Sequence, residues 1–128
     1  MLRLLALTSL TLIILTSIAG VTVTTASKNP GESRGMLGGT AKVDTVLGDV
    51  DTSDYDAVVF VGGGGSEVYF NDSTAQNIAI TTAEKGKVVA AICIAPVILA
   101  NAGVLNGKRA TCYGSEYAQQ LEAHGAEH

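Results

Sequence analysis

The chain has 128 residues, 47% of them hydrophobic and 16% charged, with a formal net charge of −4. Such a core-rich composition excludes a disordered chain, and the length fits one domain. An acidic chain with no Lys/Arg cluster, no Trp and 5% aromatics also lacks the phosphate-binding charge and the stacking platform of a nucleic-acid binder.

Met1–Gly20 reads MLRLLALTSLTLIILTSIAG, with Arg3 its only charged side chain. This apolar N-terminal segment has three readings. It is a buried or aberrant helix, a signal peptide with small residues before Gly20, or a membrane anchor weakened by its Ser and Thr content. Residues 21–128 form the domain proper. Val21–Thr25 is rich in β-branched residues and reads as a strand. Lys28–Gly39 carries Pro30, Gly31, Gly35, Gly38 and Gly39 and reads as a loop. Ala41–Leu47 alternates weakly, as a short edge strand does. Asp49-x-Asp51-x-Ser53 opens like a calcium loop, but Asp54 stands where Gly is needed and Phe60 where Glu is needed. A solvated acidic connection is the better reading.

Ala57–Val61 is a continuous apolar run, the pattern of a strand buried on both faces of a parallel sheet. Gly62–Gly65 follows at once. Ser73-x-x-Gln76 resembles a capping box, and Ala75, Ile78, Ala79, Thr82 and Ala83 recur at helical spacing up to Gly86. Val88–Ile92 is a second wholly apolar strand, ending at Cys93. Ile94–Ala102 reads as a helix with Pro96 in its first turn and Gly103 at its close. Asn106-Gly107 marks a tight turn, Arg109–Tyr113 a short strand, and Ser115–His124 a last helix with Tyr117, Ala118 and Leu121 on one face. Strand–helix alternation of this kind predicts an α/β fold with a mostly parallel sheet and right-handed crossovers.

The two cysteines, Cys93 and Cys112, form no C-x-x-C pair, so neither a zinc site nor a dithiol motif is expected. They read as reduced thiols of a cytoplasmic protein, or as one disulfide if the chain is exported. Cys93 stands out. Ligands of open parallel sheets bind at the carboxyl ends of the strands, and both Cys93 and the Gly62–Gly65 loop follow such ends. A cysteine at a strand-to-helix turn meets unpaired N–H groups that favour thiolate, and thiolate is the nucleophile. The turn is the mechanical equivalent of a serine nucleophile elbow. The backbone N–H groups of Gly62, Gly63 and Ile94 are the candidate oxyanion donors, a glycine there letting the backbone approach a substrate closely. As a phosphate loop the glycine run fails, because neither G-x-G-x-x-G nor a G-K-[ST] ending is present. No metal and no cofactor is expected.

The segments DYDAVVFVGG at 54–63, AAICIAP at 90–96 and AGVLNGKRAT at 102–111 resemble the ThiJ/PfpI family, of the class I glutamine-amidotransferase-like superfamily. AGVTVTTAS at 19–27 is similar to that family's second strand, and the resemblance runs from about Ala19 to Ala126. It implies a flavodoxin-like αβα sandwich, with Cys93 as elbow nucleophile and Gly63 and Ile94 at the oxyanion positions. It implies a homo-oligomer, and an activity of the glyoxalase, deglycase or peptidase kind on small carbonyl compounds or amides.

Three departures accompany it. No Glu precedes Glu32, so the family's first strand and its glutamate are expected to be missing. The family's histidine positions hold Ile94 and Tyr113, while His124 and His128 match none. The chain stops where members continue to a further strand and a closing helix. The fold is therefore expected to be incomplete. The alternatives to an enzyme are a redox-sensing or stress-response protein, in which Cys93 oxidises reversibly, and an inactive fragment.

Overall fold

The computed structural model describes residues 2–7, 20–35 and 37–128. Five strands form one sheet in the order β5-β2-β1-β6-β7, with every neighbouring pair parallel. They are β1 (Arg3–Leu7), β2 (Thr22–Ser27), β5 (Thr45–Val46), β6 (Ala57–Val61) and β7 (Val88–Ile92). A separate antiparallel hairpin joins β3 (Glu32–Arg34) to β4 (Thr40–Lys42). The helices among the described residues are α1 (Ser73–Glu84), α2 (Pro96–Asn101) and α3 (Ser115–Ala123). This is the expected α/β architecture of the flavodoxin-like kind.

The middle of the sheet differs from expectation. Arg3–Leu7 is neither a helix nor peripheral: it is the central strand, paired with β2 on one side and β6 on the other. The physical reason is burial. Leu4, Leu5 and Ala6 are buried, and an apolar run with one leading Arg suits a strand covered on both faces. Its start is fixed by Asp56. The Arg3 amide donates to the Asp56 carboxylate at 2.7 Å, and the Asp56 amide donates to the Arg3 carbonyl at 2.8 Å. The expected absence of a first strand is thus corrected. The rest of the signal-peptide or anchor reading, residues 8–19, lies outside the described residues. No helix among the described residues is long and apolar enough to cross a membrane.

Other differences are local. The glycine-rich stretch predicted as loop contains β3, because Gly31 (φ +105°) and Gly38 (φ +84°) make the bends that a hairpin needs. The predicted edge strand over 41–47 is shorter and divided between β4 and β5. Arg109–Tyr113 forms no strand, only a single bridge from Arg109 to Glu127. The cap of α1 is Asp72, whose Oδ1 accepts from the Ala75 amide at 2.9 Å. Gln76 turns away from the expected capping box, and its amide donates to the Phe70 carbonyl. The acidic connection has its own tasks: Asp51 accepts from the Ser53 amide, beside Asp56 at β1.

The core joins Leu5 of β1 and Val58 and Phe60 of β6 to Ile78 and Ala79 of α1, Val97 and Ile98 of α2, and Leu121 of α3. The strand β7, wholly apolar like β6, would suit burial as β6 does. Instead Val88 and Ile92 are about three-fifths exposed, at 62% and 60%, because β7 is the last strand of the sheet.

Candidate active site

The strand order sets the site. β2 lies on one side of β1 and β6 on the other, so the crossover direction reverses at β1/β6. Open parallel sheets bind ligands outside the carboxyl ends of their strands at such a reversal. The Gly62–Gly65 run leaves β6 at that end, and Cys93 leaves the adjacent β7 at the same end.

Cys93 is the one non-glycine residue with positive φ among the described residues, at +65°. A side chain there costs about 1–2 kcal/mol, so the surroundings must hold the conformation. They do so from three sides. The Ala95 amide donates to the Ile92 carbonyl at 3.3 Å, closing the turn around Cys93 and Ile94. The Tyr113 amide donates to the Cys93 carbonyl at 2.9 Å. Gly62 packs directly underneath: a Cβ built on it would lie 2.6 Å from the Cys93 Cβ, 2.8 Å from the Ile92 oxygen and 2.9 Å from the Ile94 nitrogen. The thiol itself is exposed. The helix begins at Pro96, two residues later than predicted, so Cys93 sits in the turn before the helix.

The structure therefore brings Cys93, Gly62 and the Ile94 amide together. It also changes the reason for Gly62. The sequence suggested glycine for substrate approach, whereas the space beside its Cα is already filled by the elbow. Gly63 has open space around it and φ +103°, a backbone that favours glycine on conformational grounds. Among the described residues, the amides of Gly63 and Ile94 are given to no backbone carbonyl in the loops and turns.

Two residues missed in the sequence complete the surroundings. Glu67, in the 3-10 turn Gly64–Tyr69 that follows the glycines, accepts from the Tyr117 hydroxyl at 2.6 Å. Tyr117, on α3, packs its ring edge-on against Phe70 with centroids 5.9 Å apart. The pair ties the glycine-run wall to the segment whose Tyr113 amide holds Cys93. The bond to Glu67, then burial, then the charges of Glu67, Glu116 and Cys93 push the Tyr117 hydroxyl above its ordinary value. Tyr117 carried a signal as a member of the apolar face of α3, but its hydroxyl's partner lies 50 residues away and no periodicity encodes it. Burial first, then the charges of Glu116 and Cys93, raise the Cys112 thiol as well.

The histidines are engaged elsewhere. His124 bonds the Gln120 carbonyl at 2.8 Å, and His128 lies 3.4 Å from the Thr111 hydroxyl. Tyr113, at one family histidine position, is 75% exposed. A shallow hollow lined by Arg109, Ala110, Thr111, Glu127 and His128 does not include Cys93.

Comparison with known proteins places these features in context. The sequence matches the DJ-1/PfpI family over residues 7–128. It is similar to an uncharacterized protein of Methanocaldococcus jannaschii, 42% identical over 109 residues, which cover 84% of this chain and 53% of that protein. It is similar to deglycase PfpI of Pyrococcus furiosus, 39% identical over 88 residues, 69% of this chain and 53% of that one. Among solved structures, a ThiJ/PfpI domain protein of Brachyspira murdochii superposes with a TM-score of 0.88 at 29% identity, over 98% of this chain and 76% of that one. The chain spans about half the length of these curated relatives.

Proposed function

Because the chain belongs to the DJ-1/PfpI family, we propose that it acts through Cys93 on small electrophilic carbonyl compounds or their adducts with amines, as the deglycase names of several relatives suggest. The reading rests on one observation above all: an exposed cysteine held at φ +65° between a strand and a helix, with Gly62 wedged beneath it. A left-handed non-glycine residue is strained, and strain of this kind concentrates where a side chain must be presented.

In this reading the Cys93 sulfur adds to the carbonyl carbon. The new C–S bond takes the sulfur lone pair, and the carbonyl π electrons move to oxygen. The amides of Gly63 and Ile94 receive that oxyanion, a task worth about 3 kcal/mol per well-placed donor. With no histidine beside the sulfur, the Glu67–Tyr117 pair takes the proton traffic, Glu67 as acceptor and the Tyr117 hydroxyl as the group between it and the reacting atoms.

The test is methylglyoxal consumption and release of free amine from methylglyoxal-treated amino acids, by the chain and by Cys93→Ser. Loss of both activities in the variant, with an unchanged circular dichroism spectrum, is the expected result. Equal activity of the two proteins would overturn the assignment. Tyr117→Phe and Glu67→Gln separate the proton-handling role: each is expected to flatten the pH–rate profile while alkylation of Cys93 proceeds.

A further inference from the structure

Cys112 is a thiol for which the carbonyl chemistry has no use, yet it adjoins in sequence the residue whose amide holds Cys93. The amide that holds the Cys93 carbonyl belongs to Tyr113, the next residue after Cys112. The link runs from the Cys112 Cα through its carbonyl carbon to the Tyr113 nitrogen, across 2.9 Å to the Cys93 oxygen, and back to the Cys93 Cα. With ordinary backbone bond lengths that path spans at most about 8.5 Å when straight, and less as it bends. Disulfide-bonded Cα pairs lie about 4.4–6.8 Å apart. The two sulfurs also sense each other, since the Cys93 charge helps raise the Cys112 thiol. Both are free: Cys93 is exposed and Cys112 half-buried. Among the described residues, the Cys112 sulfur makes one long hydrogen-bond contact, 4.0 Å to the Gly114 carbonyl.

We propose that Cys112 is the resolving thiol of an oxidation cycle at Cys93, so that hydroperoxides convert the site into a Cys93–Cys112 disulfide that a small dithiol or thiol reductant returns to two thiols as it is itself oxidised to a disulfide. In the first step the Cys93 sulfur attacks the terminal oxygen of a hydroperoxide. The S–O bond forms, the O–O bond breaks, and the sulfur gives up two electrons as the alcohol or water departs. In the second step the Cys112 sulfur attacks the Cys93 sulfenic acid. The S–S bond forms, the S–O bond breaks, and the oxygen leaves as water with the Cys112 proton. The order is built in. While Cys93 is a thiolate its charge discourages ionisation of Cys112. A neutral sulfenic acid removes that charge just when Cys112 is needed. The inference shares with the proposed function only the reactivity of Cys93; it needs no carbonyl substrate.

The experiment is peptide mapping of the non-reduced full chain, at dilution, after near-stoichiometric hydrogen peroxide, with dimedone as sulfenic-acid trap. The wild type is expected to yield a Cys93–Cys112 cross-linked peptide that dithiothreitol removes, and little sulfinic acid. Cys112→Ser is expected to lose that peptide, to label with dimedone at Cys93, and to accumulate sulfinic acid there. Cys112→Ala, with a thermal melt of both variants, guards against a folding defect. No cross-linked peptide in the wild type, a cross-link only between molecules, or equal sulfinic acid in wild type and variants would each overturn the proposal. Carbonyl turnover that survives such a result would leave the proposed function standing, because the two readouts are independent.

Discussion

Gly62→Ala is the sharpest perturbation available, because it adds one methyl group at the tightest point beside the candidate nucleophile. The new Cβ would lie 2.6, 2.8 and 2.9 Å from the Cys93 Cβ, the Ile92 oxygen and the Ile94 nitrogen. Ordinary contacts begin near 3.4 Å, so three overlaps must be relieved at once. Two of the atoms are backbone and have no rotamer to change, and the third is anchored at Cys93. Overpacking of this kind costs about 1–3 kcal/mol, and the immobile neighbours place the cost at the upper end. Each kcal/mol shifts the midpoint of a domain of this size by roughly 3–5 °C, so a fall of roughly 6–15 °C in Tm is expected. The variant must displace Cys93 together with the Ile94 amide, so the rate of Cys93 alkylation by iodoacetamide should change as well. Gly64→Ala is the control: nothing lies within 4 Å of its added Cβ, and its φ is not positive. Circular dichroism melts of both variants, with alkylation followed by mass spectrometry, make the comparison. If Gly62→Ala melts with the wild type and Cys93 reacts at an unchanged rate, the claim that Gly62 supports the elbow is wrong.

Three further outcomes follow from the same geometry. Cys93→Gly should be more stable than Cys93→Ala by about 1 kcal/mol, since glycine accepts φ +65° and alanine does not; equal melts would show that the turn carries no strain. Iodoacetamide at neutral pH should label Cys93 before Cys112, because the second thiol is half-buried and raised by burial; peptide mapping that finds Cys112 labelled first would contradict this. Asp72→Ala should cost about 1 kcal/mol near neutral pH through loss of the α1 cap. The Ala75 amide, and then Lys28, hold the Asp72 carboxyl below its ordinary value. Its stabilisation is therefore present above the ordinary carboxylate value of about 3.9 and is lost as pH falls from there through the depressed folded value. Melts of the two proteins should converge in acid.

Much of this was legible in the sequence, and the exceptions share a cause. The apolar run Ala57–Val61, the helix from Ser73 and the turn at Cys93 follow from local periodicity and punctuation, and the structure has all three. The contact of Gly62 with Cys93 was half-legible: two strand ends on one side of a sheet must be neighbours, but which atoms touch depends on register. Arg3–Leu7 was misread because its four apolar residues, embedded in a longer apolar run, carry no period that separates strand from helix. The exposure of β7 was hidden because an apolar strand looks the same at the edge of a sheet as in its middle. Glu67 and Tyr117 were invisible as a pair, since their hydrogen bond spans two elements with no shared pattern.

The position of β1 also bears on how the molecule holds together. Among the described residues, β2 with β5 and β6 with β7 are two ribbons whose only common neighbour in the sheet is Arg3–Leu7. A version of the chain starting at residue 20 would leave those ribbons without the rail between them. The stretch that reads as most foreign to an α/β domain is thus the one on which the unity of the sheet depends.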